Sequence, residues 1–246
     1  MKRLAGTPEL MDGPLDHAVL PGNLRDLTRV NRWLGGTRLS LMAVTRLLAT
    51  GPPVTCVRLL DVGTGAADIP VALIERSARQ GLTLTVTATD ERQEMLDVAG
   101  QRVGPRADLT LQLTGGGSQL PFPDASVDIA HCSLLLHHLE PEEATDLLRE
   151  MARVSRRGVI VNDLDRTRLS WLGAWLLAHL ATGNRYTRHD APLSVRRAYR
   201  PVEVQDMAAA VGLTRVARLG GFMGHRYALV LAPATAADGR GSAGHG

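Results

Sequence analysis

The chain has 246 residues, 44% of them hydrophobic and 22% charged. That suits one large α/β domain, or two small ones, and excludes whole-chain disorder and fibrous repeats. The formal net charge is only +3, so charge alone points to no polyanionic partner.

The cations are nearly all arginine, with Lys2 the single lysine, and they are spread along the chain. The short runs Arg156-Arg157 and Arg196-Arg197 with Arg200 read as solvated faces; a nucleic-acid footprint needs clustering. Aromatics make up 3%, which argues against a base-stacking platform. No nucleic-acid partner is expected. Two cysteines, Cys56 and Cys132, exclude a disulfide framework or a Cys-rich zinc module, and no metal ligands are expected. No stretch reaches the ~20 apolar residues of a membrane span. The opening MKRLAGTPELMDGPLD lacks an apolar signal region, so the cytoplasm is the expected compartment.

Residues 1–22, rich in Gly, Pro and Asp, read as a flexible arm. Leu24, Leu27, Val30 and Leu34 recur at helical spacing until Gly35-Gly36 breaks the pattern. A second helix, Leu39 to Leu48, ends at Gly51-Pro52-Pro53. Strands then alternate with helices: strand 56–60, helix 69–79, strand 82–89, helix 91–98, strand 109–113, strand 127–132, helix 141–154 and strand 159–161. Such alternation implies parallel βαβ units and a sheet covered on both faces. Residues 168–181 read as a very apolar helix, and the polar stretch 183–200 is assigned no element. A helix at 202–211 ends at Gly212. Strands 215–219 and 227–231 are too close for a crossover and must pair antiparallel. The expected division is a single domain over 23–232: a helical cap at 23–50, a cofactor-binding core at 54–166 and a lid at 167–200. A disordered tail at 233–246 follows.

The segment Leu59-Leu60-Asp61-Val62-Gly63-Thr64-Gly65-Ala66-Ala67-Asp68 runs a strand into a glycine turn that opens a helix. Glycine lets backbone approach a ligand closely, and the helix start offers unpaired N–H groups. Asp90 ends the next strand, where a carboxylate can hold both ribose hydroxyls. A tight turn is the bland alternative; Asp90 makes a nucleotide-type ligand the better reading. The dinucleotide pattern G-x-G-x-x-G fails because Asp68 stands at its third glycine. Asp61, two residues before the first glycine, suits a ligand with an ammonium group.

Here the chain resembles a known family. Asp61-x-Gly63-x-Gly65 is similar to the first motif of class I S-adenosylmethionine-dependent methyltransferases, and Asp90 matches their ribose-binding acid. Leu120-Pro121-Phe122-Pro123-Asp124-Ala125-Ser126-Val127-Asp128 and Leu136-His137-His138-Leu139 resemble two further segments of that family. The matches occur in order over residues 59–139. Small-molecule enzymes of ubiquinone and menaquinone synthesis are the nearest in pattern. The extra helices and the stretch RHDAPLSVRRAY resemble a bacterial subgroup found beside type III polyketide synthases.

The resemblance implies a seven-stranded Rossmann-like sheet with an antiparallel last strand, and S-adenosyl-L-methionine as cofactor. The implied cofactor set is Asp61, Gly63, Thr64, Gly65, Asp90, Glu91, Gly117, Ser118 and Cys132. The chain departs from the family twice. Ala67 replaces a motif glycine, and Gly116 stands where an acid contacts adenine. Adenine is then left to the backbone of Gly117 and Ser118 or to apolar packing.

Methyl transfer is an in-line displacement in which the protein mainly positions the acceptor. An oxygen acceptor also loses a proton, commonly to His or a carboxylate. Ligands in open α/β sheets lie at the carboxyl ends of strands, which points to Ser133, His137, His138 and Asp163. The resemblance implies a His137–Asp163 catalytic couple; helix capping is the alternative for these histidines. His131 reads as a core histidine. His189, on the polar stretch, is a candidate acceptor contact or an ordinary loop residue. Trp171 and Trp175 share a helical face, read either as a greasy acceptor wall or as a buried or homodimer contact. The expected function is methylation of a small phenolic, quinol or polyketide-type acceptor, on oxygen ahead of carbon. A cofactor-fold scaffold without transferase activity is the alternative.

Overall fold

The computed structural model describes residues 1–16, 18–115 and 119–234. Seven strands form one sheet: β1 (Cys56–Val62), β2 (Thr83–Asp90), β3 (Leu109–Leu113), β4 (Val127–Ser133), β5 (Ser155–Leu164), β6 (Leu213–Gly220) and β7 (Arg226–Pro233). Their spatial order is β3-β2-β1-β4-β5-β7-β6. β1 to β5 pair parallel, and β7 lies antiparallel between β5 and β6. The helices are α1 (Leu20–Trp33), α2 (Gly36–Leu48), α3 (Asp68–Arg79), α4 (Gln93–Val103), α5 (Pro141–Val154), α6 (Arg168–Ala181), α7 (Arg185–Arg197) and α8 (Pro201–Ala210).

The alternation of side chains along each strand fills two cores. Leu60, Ala130, Val159, Val161 and Leu229 point to one face and pack on Leu148 and Met151 of α5 and Val204 of α8. Leu59, Ile129, Ile160 and Val230 point to the other and pack on Leu39 and Leu47 of α2 and Leu73 of α3. Each buried Leu or Ile contributes roughly 1.5–3 kcal/mol of transfer free energy. Hence α2, though outside the strand–helix repeat, is part of the main core. Among the described residues no helix is long and apolar enough to cross a membrane.

Two expectations are corrected. Residues 1–16 are not a loose arm. The Leu4 N–H donates to the Arg196 carbonyl, Arg3 pairs with Glu140 at 3.0 Å, and the N–H groups of Leu10 and Met11 donate to the Asp190 carboxylate. Most of the polar stretch 183–200 is α7. Its buried side chains include Tyr186, Asp190, Ser194 and Arg197, a helical spacing made largely of polar residues. Asn184 caps it, its Oδ1 accepting the N–H groups of Tyr186 and Thr187. β7 also runs two residues past its expected end, to Pro233; residues 235–246 of the expected tail lie outside the described residues.

Candidate active site

At the carboxyl ends of β1 and β2 the backbone turns sharply. Gly63 and Gly65 have φ of +69° and +54°, the left-handed region. A Cβ on Gly63 would also meet Leu135 at 2.9 Å. Ala67 adopts φ +53° without being glycine, so this turn keeps its shape at the cost of some strain. Asp90 closes the loop: Oδ2 accepts the Gly65 N–H at 3.0 Å, and Oδ1 accepts the Arg92 N–H at 3.1 Å. Burial raises the Asp90 pKa, and these two N–H donors oppose the shift.

Gly63, Thr64, Gly65, Asp90 and Glu91 line one end of a cavity of about 1370 Å³. Single-ligand pockets run to roughly 1,000 Å³, so there is room for two molecules side by side. Thr64 Oγ1 is buried with no hydrogen-bond partner among the described residues, as a side chain awaiting a ligand would be. The other end is lined by Ser133, His137 and His138, and by Gly173, Ala174, Leu177 and Ala178 of α6.

At that end the Nδ1–H of His137 donates to Asp163 Oδ1 at 2.7 Å, and its backbone N–H donates to Oδ2 at 3.3 Å. Burial opposes ionisation of Asp163, but His137, the Leu164 N–H and Arg226 together outweigh it and hold its pKa below the usual range. The couple expected from the sequence is therefore assembled, with Nε2 as the free nitrogen. His138 Nδ1 lies 2.7 Å from Asp12 Oδ1. Arg197 fastens the pair from behind, donating to the carbonyls of His137 at 3.1 Å and His138 at 2.7 Å and to Asp12 at 2.6 Å.

Four expected site residues stand elsewhere. Asp61 does not line the cavity: it is 3% exposed, and His131, itself fully buried, donates to it from Nδ1 at 2.6 Å. Ser40 completes that chain on His131 Nε2 at 2.8 Å. Cys132 is buried, and burial with Asp163 and Asp61 nearby pushes its thiol pKa well up. Trp171 lies off the cavity face of α6, whose wall is made by smaller side chains. His189 is half exposed, pairs with Asp190 at 2.7 Å and does not line the cavity. Gly117 and Ser118, the expected adenine contacts, lie outside the described residues, as does Gly116.

Sequence reasoning missed Glu9, Asp68 and Arg226. Glu9 lines the cavity, is 5% exposed, and has Oε1 3.9 Å from His137 Nε2. Burial raises its pKa to about 7. Asp68, in the first turn of α3, lines the cavity and accepts from Asn31 at 3.1 Å. Arg226 is 1% exposed and donates to Asn162 at 2.6 Å, Asn31 at 2.7 Å and Ser133 at 2.7 Å, all neutral oxygens. Burial lowers its pKa to about 10, with Asp163 and Asp68 opposing. Glu9, His137 and His138 have ligand atoms within 4.8 Å of one another. The 3.9 Å between Glu9 Oε1 and His137 Nε2 exceeds the ~3.4 Å that ~2.1 Å bonds to one tetrahedral ion require, so the trio is not a preassembled metal centre.

Residues 59–158 match the methyltransferase domain family. An uncharacterized methyltransferase of Mycobacterium tuberculosis is 34% identical over 126 residues, 49% of this chain and 45% of that protein. A demethylmenaquinone methyltransferase of Deinococcus radiodurans is 33% identical over 102 residues, 41% of this chain and 39% of that protein. These alignments span less than half the length of either relative. The crystal structure of a SAM-dependent methyltransferase from Aquifex aeolicus superposes with a TM-score of 0.59 at 19% identity, over 90% of this chain and all of that one.

Proposed function

We propose, from the match of residues 59–158 to the methyltransferase domain family, that the chain is a class I S-adenosylmethionine-dependent methyltransferase and moves the methyl group of S-adenosylmethionine to a small acceptor, on oxygen ahead of carbon. The observation that carries this reading is the continuity of one cavity from the glycine turn to the His137–Asp163 couple. Gly63 and Gly65 give close backbone approach, Asp90 offers its remaining lone pairs to the ribose hydroxyls, and Thr64 supplies a hydroxyl that lacks a partner. When bound, the cofactor supplies a methyl group activated by its sulfonium.

The rest falls to side chains of the acceptor end. Ser133, His138 and the small residues of α6 border the acceptor and keep water from it. Asp163 fixes His137 with the proton on Nδ1, so Nε2 carries the lone pair that accepts the acceptor's proton. Arg226 holds Ser133 and helps keep Asp163 ionised. Phenolic and quinol acceptors fit a lining that is mostly apolar with a few convergent polar groups. The test is titration calorimetry with S-adenosylmethionine, then incubation with methyl-labelled cofactor and a panel of phenols and quinols. A chain that does not bind the cofactor sinks the proposal. One that binds it but labels nothing in the panel favours a scaffold.

A further inference from the structure

Two acceptor atoms stand close together where Glu9 and His137 line the cavity, and no hydrogen bond among the described residues satisfies either. One is His137 Nε2, left with a lone pair because Nδ1–H is committed to Asp163. The other is Glu9 Oε1, which has no hydrogen-bond partner among the described residues. They lie 3.9 Å apart. Glu9 is held there by a segment fastened on both sides: the Thr7 carbonyl accepts from Arg197 before it, and Leu10 and Met11 donate to Asp190 of α7 and Asp12 pairs with His138 and Arg197 after it.

One hydroxyl carries one proton; given to His137 Nε2, it leaves the buried Glu9 Oε1 unpaired, at the desolvation cost of an unsatisfied buried acceptor. Two hydroxyls on adjacent carbons present two protons at oxygens about as far apart as a hydrogen bond is long, and can meet both. We propose that Glu9 is an acceptor-binding residue that selects molecules with vicinal hydroxyls, one directed at His137 and its neighbour at Glu9. This deepens the transfer reading and rests on it. His137, His138, Asp12 and Asp190 are the titratable groups around Glu9, with the Ser194 hydroxyl beside it, and at pH 8, above its pKa of about 7, the carboxyl acts as an acceptor.

The experiment is calorimetry at pH 8 on the full chain saturated with S-adenosylhomocysteine, with 4-butylcatechol and 4-butylphenol as probes. The catechol should bind ~10–100-fold more tightly than the phenol to the native chain. Glu9→Ala should bring the catechol down to the phenol's affinity without changing the phenol's own. Glu9→Gln, which keeps one acceptor oxygen and the shape, should restore part of the preference and guards against misfolding of the alanine variant. Equal affinities in the native chain, a preference that survives Glu9→Ala, or no binding of either probe overturns the proposal. Saturation with S-adenosylhomocysteine tests the transfer reading separately, and the probe titration on the free chain still reads Glu9 if that step fails.

Discussion

His137 is fixed at two points, by its ring and by its backbone N–H, on one carboxylate. Such a group is already aimed and loses little freedom when an acceptor arrives. His137→Ala should lower turnover by roughly 10²–10⁴-fold, and Asp163→Asn by less, with S-adenosylhomocysteine affinity nearly unchanged in both. Turnover at the native rate in His137→Ala would make the imidazole structural. Asp90, proposed to hold the ribose, would carry a double load, since its oxygens also accept the Gly65 and Arg92 N–H groups. Asp90→Asn keeps the shape but loses the charge, and calorimetry should show cofactor affinity reduced on the order of 10–100-fold. The sign for Glu9 follows from its raised pKa: the folded chain holds this proton more tightly than the unfolded one. Its contribution is fully present below pH ~4.5 and is lost as pH rises through about 7, on the order of 3 kcal/mol across that window. Melting curves should then find Glu9→Gln stabilising at pH 8 and close to neutral at pH 4.5. An equal effect at both would remove the titration from Glu9.

At the scale of elements, α6 and α7 bridge the acceptor end and the N-terminal segment, and the covering role expected of residues 167–200 is proposed for them together. Hydrogen exchange in 168–197 should slow when cofactor and acceptor are both present. Asp190→Ala should speed exchange at Leu10 and Met11, whose N–H groups it receives, without disturbing β1. Unchanged protection there would mean that the other ties suffice. The strands and most helices were legible because apolar side chains alternate at period two or recur at helical spacing. α7 was not, because its buried side is Tyr186, Asp190, Ser194 and Arg197 with Val195 the one aliphatic residue, and a hydrophobicity pattern is blind to a face that packs largely through hydrogen bonds. Asn184 was the signal available, a capping residue before the helix. The His137–Asp163 couple was legible from motifs at strand ends. The burial of Asp61 was not, because its partner His131 lies 70 residues away and no local pattern links them.

At the scale of the whole chain, one sheet carries both ends of the cavity, so cofactor binding and global stability are linked. A ligand at 100 times its dissociation constant adds about 2.7 kcal/mol. S-adenosylhomocysteine at that excess should raise the melting temperature by roughly 5–10 °C in a single transition, as the proposed single domain requires. Two transitions, only one of them shifted, would divide the domain.

The matched region runs from residue 59 to 158, while Glu9, α6 and α7 all lie outside it. On the proposed reading, the cofactor end of the cavity thus lies within the matched region, and much of the acceptor end is built by parts outside it. If the proposed transfer holds, exchanging residues 1–16 together with 167–200 for those of a related methyltransferase would be a way to re-address the methyl group. The two pieces must travel as a pair, because Asp190 and Arg197 of one fasten Leu10, Met11 and Asp12 of the other.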